Sequence, residues 1–242
     1  MRVISFVSHK GGTGKSTLAV NLAVIASAFG ENVVVIDLDS QETTASWFWS
    51  RRSETPCLAP CRTADGLPDQ LQSLSSSGVS LVVIDTPGSN PGVAETAARA
   101  SDLCLVPLRP SEADVRAVMP TLRSLAAIRR PFALVLNQVP PRLAPGGSPR
   151  IGDPGAVLPV AIGARIDHQH SYALGLGVAE LSPAGKAAAE LRALWQEVRT
   201  RLPPGPPQRA CVSVGRGCDD DGPWPHAQRP GRSLAVNARP DT

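Results

Sequence analysis

A glycine-rich segment, residues 9–17 (HKGGTGKST), constrains the fold of this chain more than any other feature. It follows the apolar run Val3-Ile-Ser-Phe-Val7 and precedes apolar residues spaced for one helix face, namely Leu18, Leu22, Ile25 and Phe29. The order of strand, glycine-rich turn and helix is the context that a phosphate-binding loop requires. In such a loop, backbone N–H groups and the helix N-terminus attract anions. The segment therefore predicts a site for the phosphates of a nucleotide.

Within this loop the side chains have separate predicted roles. Lys15 can neutralise phosphate oxygens, and the hydroxyl of Ser16 can ligate Mg²⁺. The remaining residues that we expect to line the phosphates are Gly11, Gly12, Thr13, Gly14 and Thr17.

The loop departs from the ordinary pattern G-x-x-x-x-G-K-[ST], because His9 stands where the first glycine would be and Lys10 precedes Gly11. This is the deviant Walker A motif, and through it the chain resembles the ParA/MinD family of dimerising P-loop ATPases. The resemblance implies ATP as the ligand and an ATP-dependent homodimer. It also implies that Lys10 is the signature lysine, a catalytic residue that reaches the phosphates bound by the partner subunit.

Composition limits the class of protein. A length of 242 residues suits one domain, or one domain with an appendage, and 42% hydrophobic residues suffice for a sizeable core. The net charge of +3 is too small to indicate a nucleic-acid partner by itself. No apolar run approaches the roughly 18 residues of a membrane span, and the first strand follows Met1 without a signal peptide. We expect a cytoplasmic protein without membrane contact.

Five cysteines without a small secreted framework also favour a reducing compartment. Cys57 and Cys61 could ligate a metal or an iron–sulfur cluster, as in related cluster-carrying ATPases. They lack the tight C-x-x-C spacing and have no histidine nearby, so we interpret them as ordinary half-buried cysteines.

Continuous apolar runs predict the strands of a parallel sheet that is covered on both faces. Four of them, at 33–36, 81–84, 103–106 and 132–136, end at Asp37, Asp85, Pro107 and Asn137. Helical patterns lie near 16–29, 66–77, 93–100 and 111–128, and Pro120 should kink the last of these or mark its start. The alternation predicts an α/β fold, a doubly wound, mostly parallel sheet of the P-loop NTPase type with helices on both faces. Ligands bind at the carboxyl ends of such strands.

The second half of the chain has a less regular pattern. Residues 140–155 form a poor helix, where the family normally has a short one, and 157–162 could be the last strand. Ser182-Pro183 is typical of a helix start, and an apolar stripe then continues to Leu202. The resemblance covers residues 1–202, which we predict to be the ATPase domain. Residues 203–242 hold 8 of the 24 prolines and no apolar periodicity, which predicts a disordered extension.

Three carboxylates follow predicted strands. Asp85 closes the run Val-Val-Ile-Asp-Thr-Pro-Gly, which resembles the Walker B strand of the family and would hold Mg²⁺ next to Ser16. Asp37 and Asp39 lie in a segment that resembles the Walker A′ strand end. By that resemblance, Asp39 orients the attacking water as a catalytic residue, and Asp37 supports the Mg²⁺ shell.

Other predicted site residues rest on the same resemblance. Asn137 resembles the family's adenine-contacting asparagine, although an ordinary loop asparagine is an alternative. Residues 86–88 (TPG) resemble a switch segment that senses the γ-phosphate. His9 we interpret as a spacer.

Two classes of partner remain open. The first is nonspecific DNA, with a ParB-like or other adaptor that stimulates hydrolysis, as in partition or positioning ATPases that associate with the nucleoid. Two groups of cationic side chains are candidate DNA surfaces, although solvated helix faces would look the same: Lys186, Arg192, Arg199 and Arg201; and Arg116, Arg123, Arg129 and Arg130. The second is a MinD-type membrane-cycling regulator, but the end of the chain is rich in proline and aperiodic. Another alternative is a cobyrinate-synthase-like enzyme or cluster carrier on the same scaffold.

Overall fold

All seven strands of the central sheet run parallel, in the order β3-β2-β4-β1-β5-β6-β7. The computed structural model describes residues 1–39, 48, 51–52, 56–60, 63–141 and 156–204. The strands are β1 (Arg2–Phe6), β2 (Val33–Asp37), β3 (Cys57–Pro60), β4 (Leu81–Asp85), β5 (Leu103–Leu108), β6 (Phe132–Val139) and β7 (Val157–Gly163). The predicted doubly wound α/β fold is confirmed.

Seven α-helices in the described ranges connect and cover these strands. They are α1 (Lys15–Ala28), α2 (Leu67–Ser76), α3 (Pro91–Arg99), α4 (Glu112–Ala127), α5 (Asp167–Ala173), α6 (Val178–Leu181) and α7 (Lys186–Arg201). A short 3₁₀ turn, Ala64–Gly66, precedes α2. None of the helices described here combines the length and the apolar character that crossing a membrane requires.

The helices form two outer layers around the sheet. One layer contains α1, α6 and α7, whose side chains pack with Phe6, Val83 and Leu105 of the sheet. The other contains α2, α3 and α4, which cover the opposite face in two smaller clusters. Because both faces are covered, the strands can be apolar at every position, as the runs in the sequence predict.

The first helix is buried on nearly all sides, which ties the N-terminal half to the C-terminal helices. Residues 18–26 of α1 are all buried, and α1 packs against α6 and α7. At its centre the Asn21 amide donates to the carbonyl of Thr17 at 2.8 Å, and its Oδ1 accepts from the backbone N–H of Val178 at 2.8 Å. One side chain thus joins the end of the glycine-rich loop to the start of α6.

One sequence prediction about a helix start is wrong, and one of the two alternatives for Pro120 is excluded. Ser182-Pro183 does not start the last helix: Ser182 ends α6, and its carbonyl accepts the N–H of Gly185, which caps α7. Pro120 does not mark the start of α4, since Ser111 caps that helix and the helix continues through the proline. The Arg116 carbonyl receives no i+4 hydrogen bond there because proline has no N–H.

Strand β3 and the short helices α5 and α6 were not predicted. The four-residue strand β3 has a proline at its end and, among the described strands, pairs with β2 alone, as an edge strand tolerates. Cys57 on this strand is exposed, so its interpretation as a half-buried cysteine is wrong. Cys61, residues 142–155 and residues 205–242 lie outside the described residues.

Candidate nucleotide-binding site

The glycine-rich loop leaves the central strand β1 at the point where the strand order changes direction. Successive connections lead from β1 to β2 on one side, and from β4 across β1 to β5 on the other. In open α/β sheets this switch point is where ligands bind. Gly14 caps α1 with a φ of 93°, and Gly12 has a φ of 73°, both in the left-handed region that favours glycine.

The neighbours of Gly14 exclude a side chain at this position, as its backbone conformation also does. A Cβ atom there would lie 2.2 Å from Nδ2 of Asn137, closer than any van der Waals contact. Only glycine therefore fits between the loop and the end of β6.

Lys15, the loop lysine, is buried at the start of α1. Its Nζ donates to the carbonyl of Lys10 at 3.3 Å, which places the ammonium inside the curve of the loop. Burial lowers the pKa of Lys15, while the charges of Asp85 and Asp39 act to raise it. An anion bound in the loop would contact the ammonium of Lys15, which is already desolvated and lies inside the loop.

The register of the sheet brings the strand-end carboxylates together. Asp37 and Asp85 are directly paired across β2 and β4, and Asp85 is paired with Phe6 of β1, just before the loop. Asp39 follows β2, and its backbone N–H donates to Oδ1 of Asp37 at 2.9 Å. The three predicted carboxylates therefore lie at one edge of the sheet, where Asp85 interacts with Asp37, Asp39, Lys15 and Ser16.

Asp85 is the most perturbed of these groups. Burial, with the nearby charge of Asp37, raises the pKa of Asp85 to about 7, and a hydrogen bond from Ser16 and the charge of Lys15 only partly oppose this. Its Oδ1 is buried without a hydrogen-bond partner among the described residues. A buried, unsatisfied carboxylate oxygen beside a hydroxyl is a site that gains from a cation.

Ser16 and Asp85 fit a Mg²⁺ ion, because the buried Oδ1 of Asp85 has no hydrogen-bond partner among the described residues and the hydroxyl of Ser16 lies beside this carboxylate. Mg²⁺ takes oxygen ligands, commonly one or two carboxylates together with substrate phosphates and water. Ser16 and Asp85 would hold it, with Asp37 beside them. In the ranges that the structure describes, no group of three or more His, Cys, Asp or Glu side chains is placed to hold a metal ion.

A cavity of about 440 Å³ continues from the loop toward the carboxyl ends of β6 and β7. Its lining includes Gly14, Thr17, Asn137, Gln138, Arg165 and His168. The Asn137 Nδ2 donates to the Thr13 carbonyl at 2.8 Å, and the Gln138 Nε2 donates to the Gly12 carbonyl at 3.1 Å. The cavity has room for the sugar and base of a nucleotide whose phosphates occupy the loop.

The far wall of this cavity is held by an ion pair with α7. Glu190 accepts hydrogen bonds from the backbone N–H of Gly163 at 3.0 Å and from Nε of Arg165 at 3.1 Å. This pair lowers the pKa of Glu190 despite the opposing effect of its burial, and it fixes the segment that follows β7.

The segment after β4 closes the loop from the other side. A Cβ atom at Gly88 would lie 3.2 Å from both Cα of Gly11 and Nζ of Lys15. Thr86 is anchored by its hydroxyl, which donates to the Phe6 carbonyl at 2.7 Å. The TPG segment predicted to sense the γ-phosphate thus lies against the phosphate loop.

Lys10 has a partner that the sequence did not indicate. Its Nζ lies 2.8 Å from Oδ1 of Asp114, a buried carboxylate in the first turn of α4. Burial would raise the pKa of Asp114, but hydrogen bonds from Lys10, Ser111 and Arg109 hold it below its usual value. The sequence holds one local feature that could have drawn attention to Asp114. Arg109 directly follows the end of β5, and Ser111-x-x-Asp114 is a helix-capping pattern.

The fold and this site define a P-loop nucleotide-binding protein. The chain belongs to the CobQ/CobB/MinD/ParA nucleotide-binding domain family, whose sequence model, CbiA, matches residues 4–168. The predicted membership of the ParA/MinD group is confirmed.

Individual relatives agree with this assignment. The chain is 36% identical over 144 residues to the "Maintenance of carboxysome distribution protein A" of Gloeobacter kilaueensis, a match that covers 58% of this chain and 65% of that protein. It is 26% identical over 157 residues to the "Chromosome-partitioning ATPase Soj" of Thermus thermophilus, covering 53% and 63%. The chain thus spans less than two thirds of the length of these two relatives.

Among solved structures, the septum site-determining protein MinD of Pyrococcus horikoshii, complexed with Mg-ADP, superposes with a TM-score of 0.66. The identity is 20%, and the match covers 81% of this chain and 95% of that one. At this identity the likeness shows the fold.

Proposed function

We propose that this protein is a Mg²⁺-dependent ATPase that dimerises on ATP and acts as a partition or positioning ATPase. In this proposal it binds DNA nonspecifically, associates with the nucleoid, and is stimulated by a ParB-like or other adaptor protein. The observation that carries the proposal is the convergence of Lys15, Ser16 and three strand-end carboxylates on a loop that holds a second lysine, Lys10. The names of the two curated relatives, one for carboxysome distribution and one for chromosome partitioning, support this class of function.

The chemistry follows from what each side chain can do. Phosphoryl transfer depends mainly on positioning and on neutralising charge at the phosphate oxygens. The ammonium of Lys15 and the backbone N–H groups of the loop hold the phosphates, and Asn137 and Gln138 line the space for the base. Mg²⁺, when bound, would neutralise charge that develops on the β- and γ-phosphates. Ser16 and Asp85, with Asp37, would hold it.

Hydrolysis also needs an aligned water and an additional cation. Asp39 lies within electrostatic reach of Lys15 and Asp85, and its carboxylate orients the attacking water in this proposal. Lys10 supplies its charge to the nucleotide of the partner subunit, much as an arginine finger does. Each subunit is therefore incomplete without the other.

Two exposed arginine surfaces are candidates for DNA. Arg116 and Arg123 are seven residues apart on one face of α4, and Arg129 and Arg130 follow its end, all four exposed. On α7, Arg199 and Arg201 are exposed near the C-terminal end, whereas the Arg192 guanidinium donates to the Pro183 carbonyl at 2.7 Å. The α4 surface has four exposed arginines and the α7 surface has two, so we assign the DNA contact to α4 first.

The test combines dimerisation with DNA binding. With ATP and Mg²⁺, light scattering should show a dimer, and the dimer should bind DNA of arbitrary sequence with an affinity that falls steeply with salt. The variant Arg123→Gln should weaken this binding and reduce its salt dependence, while Arg99→Gln, on the separate helix α3, serves as a matched control. DNA binding that is absent, or that does not respond to salt, would refute the DNA part of the proposal.

The role of Asp39 can be tested in the same assay. Asp39→Ala should leave ATP binding intact but prevent hydrolysis, so that the dimer formed with ATP persists. Gel filtration of this variant with ATP that shows only the monomer would count against an ATP-driven dimer.

A further inference from the structure

The ion pair between Lys10 and Asp114 raises a question about the proposed dimer, on which this inference rests. Lys10 is the side chain proposed to act on the partner's nucleotide, yet here it binds a carboxylate of its own chain at 2.8 Å. The carboxylate is 5% exposed and the lysine side chain 30% exposed. The ammonium is therefore drawn toward α4, and it has to leave Asp114 before it can act on another subunit.

Asp114 does not depend on Lys10 alone for its hydrogen bonds. Nε of Arg109 lies 3.2 Å from the same Oδ1, and the hydroxyl of Ser111 donates to Oδ2. Loss of every partner would leave a buried charge unsatisfied, which is costly. With Arg109 and Ser111 in place, Lys10 can depart while the carboxylate keeps two donors.

The loop also links Lys10 to the nucleotide. The Lys10 carbonyl accepts from Nζ of Lys15, and the Lys10 N–H donates to the hydroxyl of Ser8 at 3.3 Å. Phosphate in the loop offers Lys15 a charged acceptor in place of this carbonyl, because charge-assisted hydrogen bonds are the stronger ones. Binding of phosphate thus removes a contact that holds the Lys10 backbone.

We propose that Asp114 is a positioning residue that stores Lys10 within its own subunit until ATP-driven dimerisation transfers the lysine to the partner's phosphates. Arg109 is the cation that replaces Lys10 on Asp114 after the transfer. Asp114 therefore opposes dimerisation, and Arg109 favours it.

Two substitutions test this with opposite expected results. Asp114→Asn removes the charge that holds Lys10, so the ATP dimer should form at about two- to fivefold lower protein concentration, the range expected for a partly exposed ion pair. Arg109→Gln removes the cation that competes with Lys10 for Asp114, so dimerisation should need a higher concentration. The matched control is Glu112→Gln, which removes a charge from the same helix turn, where Glu112 pairs with Arg116 and not with Lys10.

A direct readout does not depend on dimerisation or activity. Lysine occurs at only three positions, Lys10, Lys15 and Lys186, so labelling with an amine-acylating reagent can be followed residue by residue. Without nucleotide, Lys10 should react more slowly than the exposed Lys186, and Asp114→Asn should accelerate Lys10 alone. The wild-type comparison is informative even if the variant fails to fold.

The outcomes separate this inference from the proposed function. A wild-type protein that never dimerises with Mg-ATP refutes the proposed function, while the labelling still reports on the ion pair. If Asp114→Asn leaves both dimerisation and Lys10 labelling unchanged, the storage role is refuted. If it lowers turnover at unchanged dimerisation, Asp114 acts in the closed dimer, and the storage role is again refuted.

Discussion

At the residue scale, two lysines of one loop have different partners in the same subunit: Lys15 donates to a backbone carbonyl of the loop, and Lys10 pairs with a carboxylate. Nζ of Lys15 lies within the curve of the loop, and that of Lys10 lies on Asp114. Lys10→Ala should therefore keep nucleotide binding, because Lys15 and the backbone remain, and should lower ATP turnover by about a hundredfold or more, as loss of a trans-acting cation does. Nucleotide titration and phosphate release measure the two effects separately.

The control for this change is Lys186→Ala, which removes an exposed lysine at the start of α7. If Lys10→Ala hydrolyses ATP at the wild-type rate, the proposed role of Lys10 in hydrolysis is refuted.

Asp85 makes the stability of the ligand-free protein depend on pH. Its pKa is raised from 3.8 to about 7, so the folded state holds a proton that the unfolded state releases. The stabilising contribution is complete below the unfolded value and is lost as the pH rises through about 7. Between about pH 5 and about pH 8, the wild-type free energy of unfolding should fall by about 2 to 3 kcal/mol relative to Asp85→Asn.

Urea unfolding of both proteins at the two pH values measures this difference. Parallel pH profiles for the wild type and Asp85→Asn would contradict the raised pKa.

At this scale, the sequence could indicate those residues that motifs place at strand ends. Asp37, Asp85 and Asn137 end continuous apolar runs, so the parallel fold alone brings them to one edge. Asp114 could not be recognised in this way, because it meets Lys10 across 104 positions of the chain through the docking of α4. Such a contact depends on tertiary packing, which local patterns do not encode.

At the element scale, the junction between the loop and α1 depends on one residue without a side chain. Gly14→Ala would combine a φ of 93° with a Cβ 2.2 Å from the Asn137 amide, so the loop and the end of β6 must separate. We expect loss of measurable nucleotide binding and a destabilisation of about 2 kcal/mol or more.

The chain offers a matched control for this substitution. Gly78→Ala has a similar backbone cost, at a φ of 79°, but its Cβ meets nothing within 4 Å. It should lower thermal stability and leave nucleotide affinity unchanged. Equal nucleotide affinity in both variants would show that the approach of Asn137 to the loop is unimportant.

The elements that the sequence predicted are those whose pattern is local. Buried strands show continuous apolar runs, and α1 follows a recognisable loop. The start of α7 was misassigned because Ser182-Pro183 has the composition of a helix cap, while the backbone there ends α6 and turns at Gly185. Strand β3 was missed because a short edge strand needs no apolar run on both faces.

At the scale of the whole molecule, the predicted ATPase domain, residues 1–202, should be separable from the remainder of the chain. The composition of residues 203–242 predicts a disordered extension, so a protein that ends at Pro204 should keep its melting temperature within about 2 °C and the proposed ATP-dependent dimer. Calorimetry and light scattering measure these two properties. A large drop in melting temperature would show that the extension contributes to the fold.

The packing of α1 has a consequence for where the protein can be divided. The region that defines the family ends at residue 168, yet Leu191, Leu194 and Trp195 of α7 complete the core around α1, and Val178 satisfies the amide of Asn21. A fragment cut at that boundary would expose α1, whose residues 18–26 are all buried in the intact fold, to water. The smallest piece able to fold by itself is therefore longer than the piece by which the family is recognised.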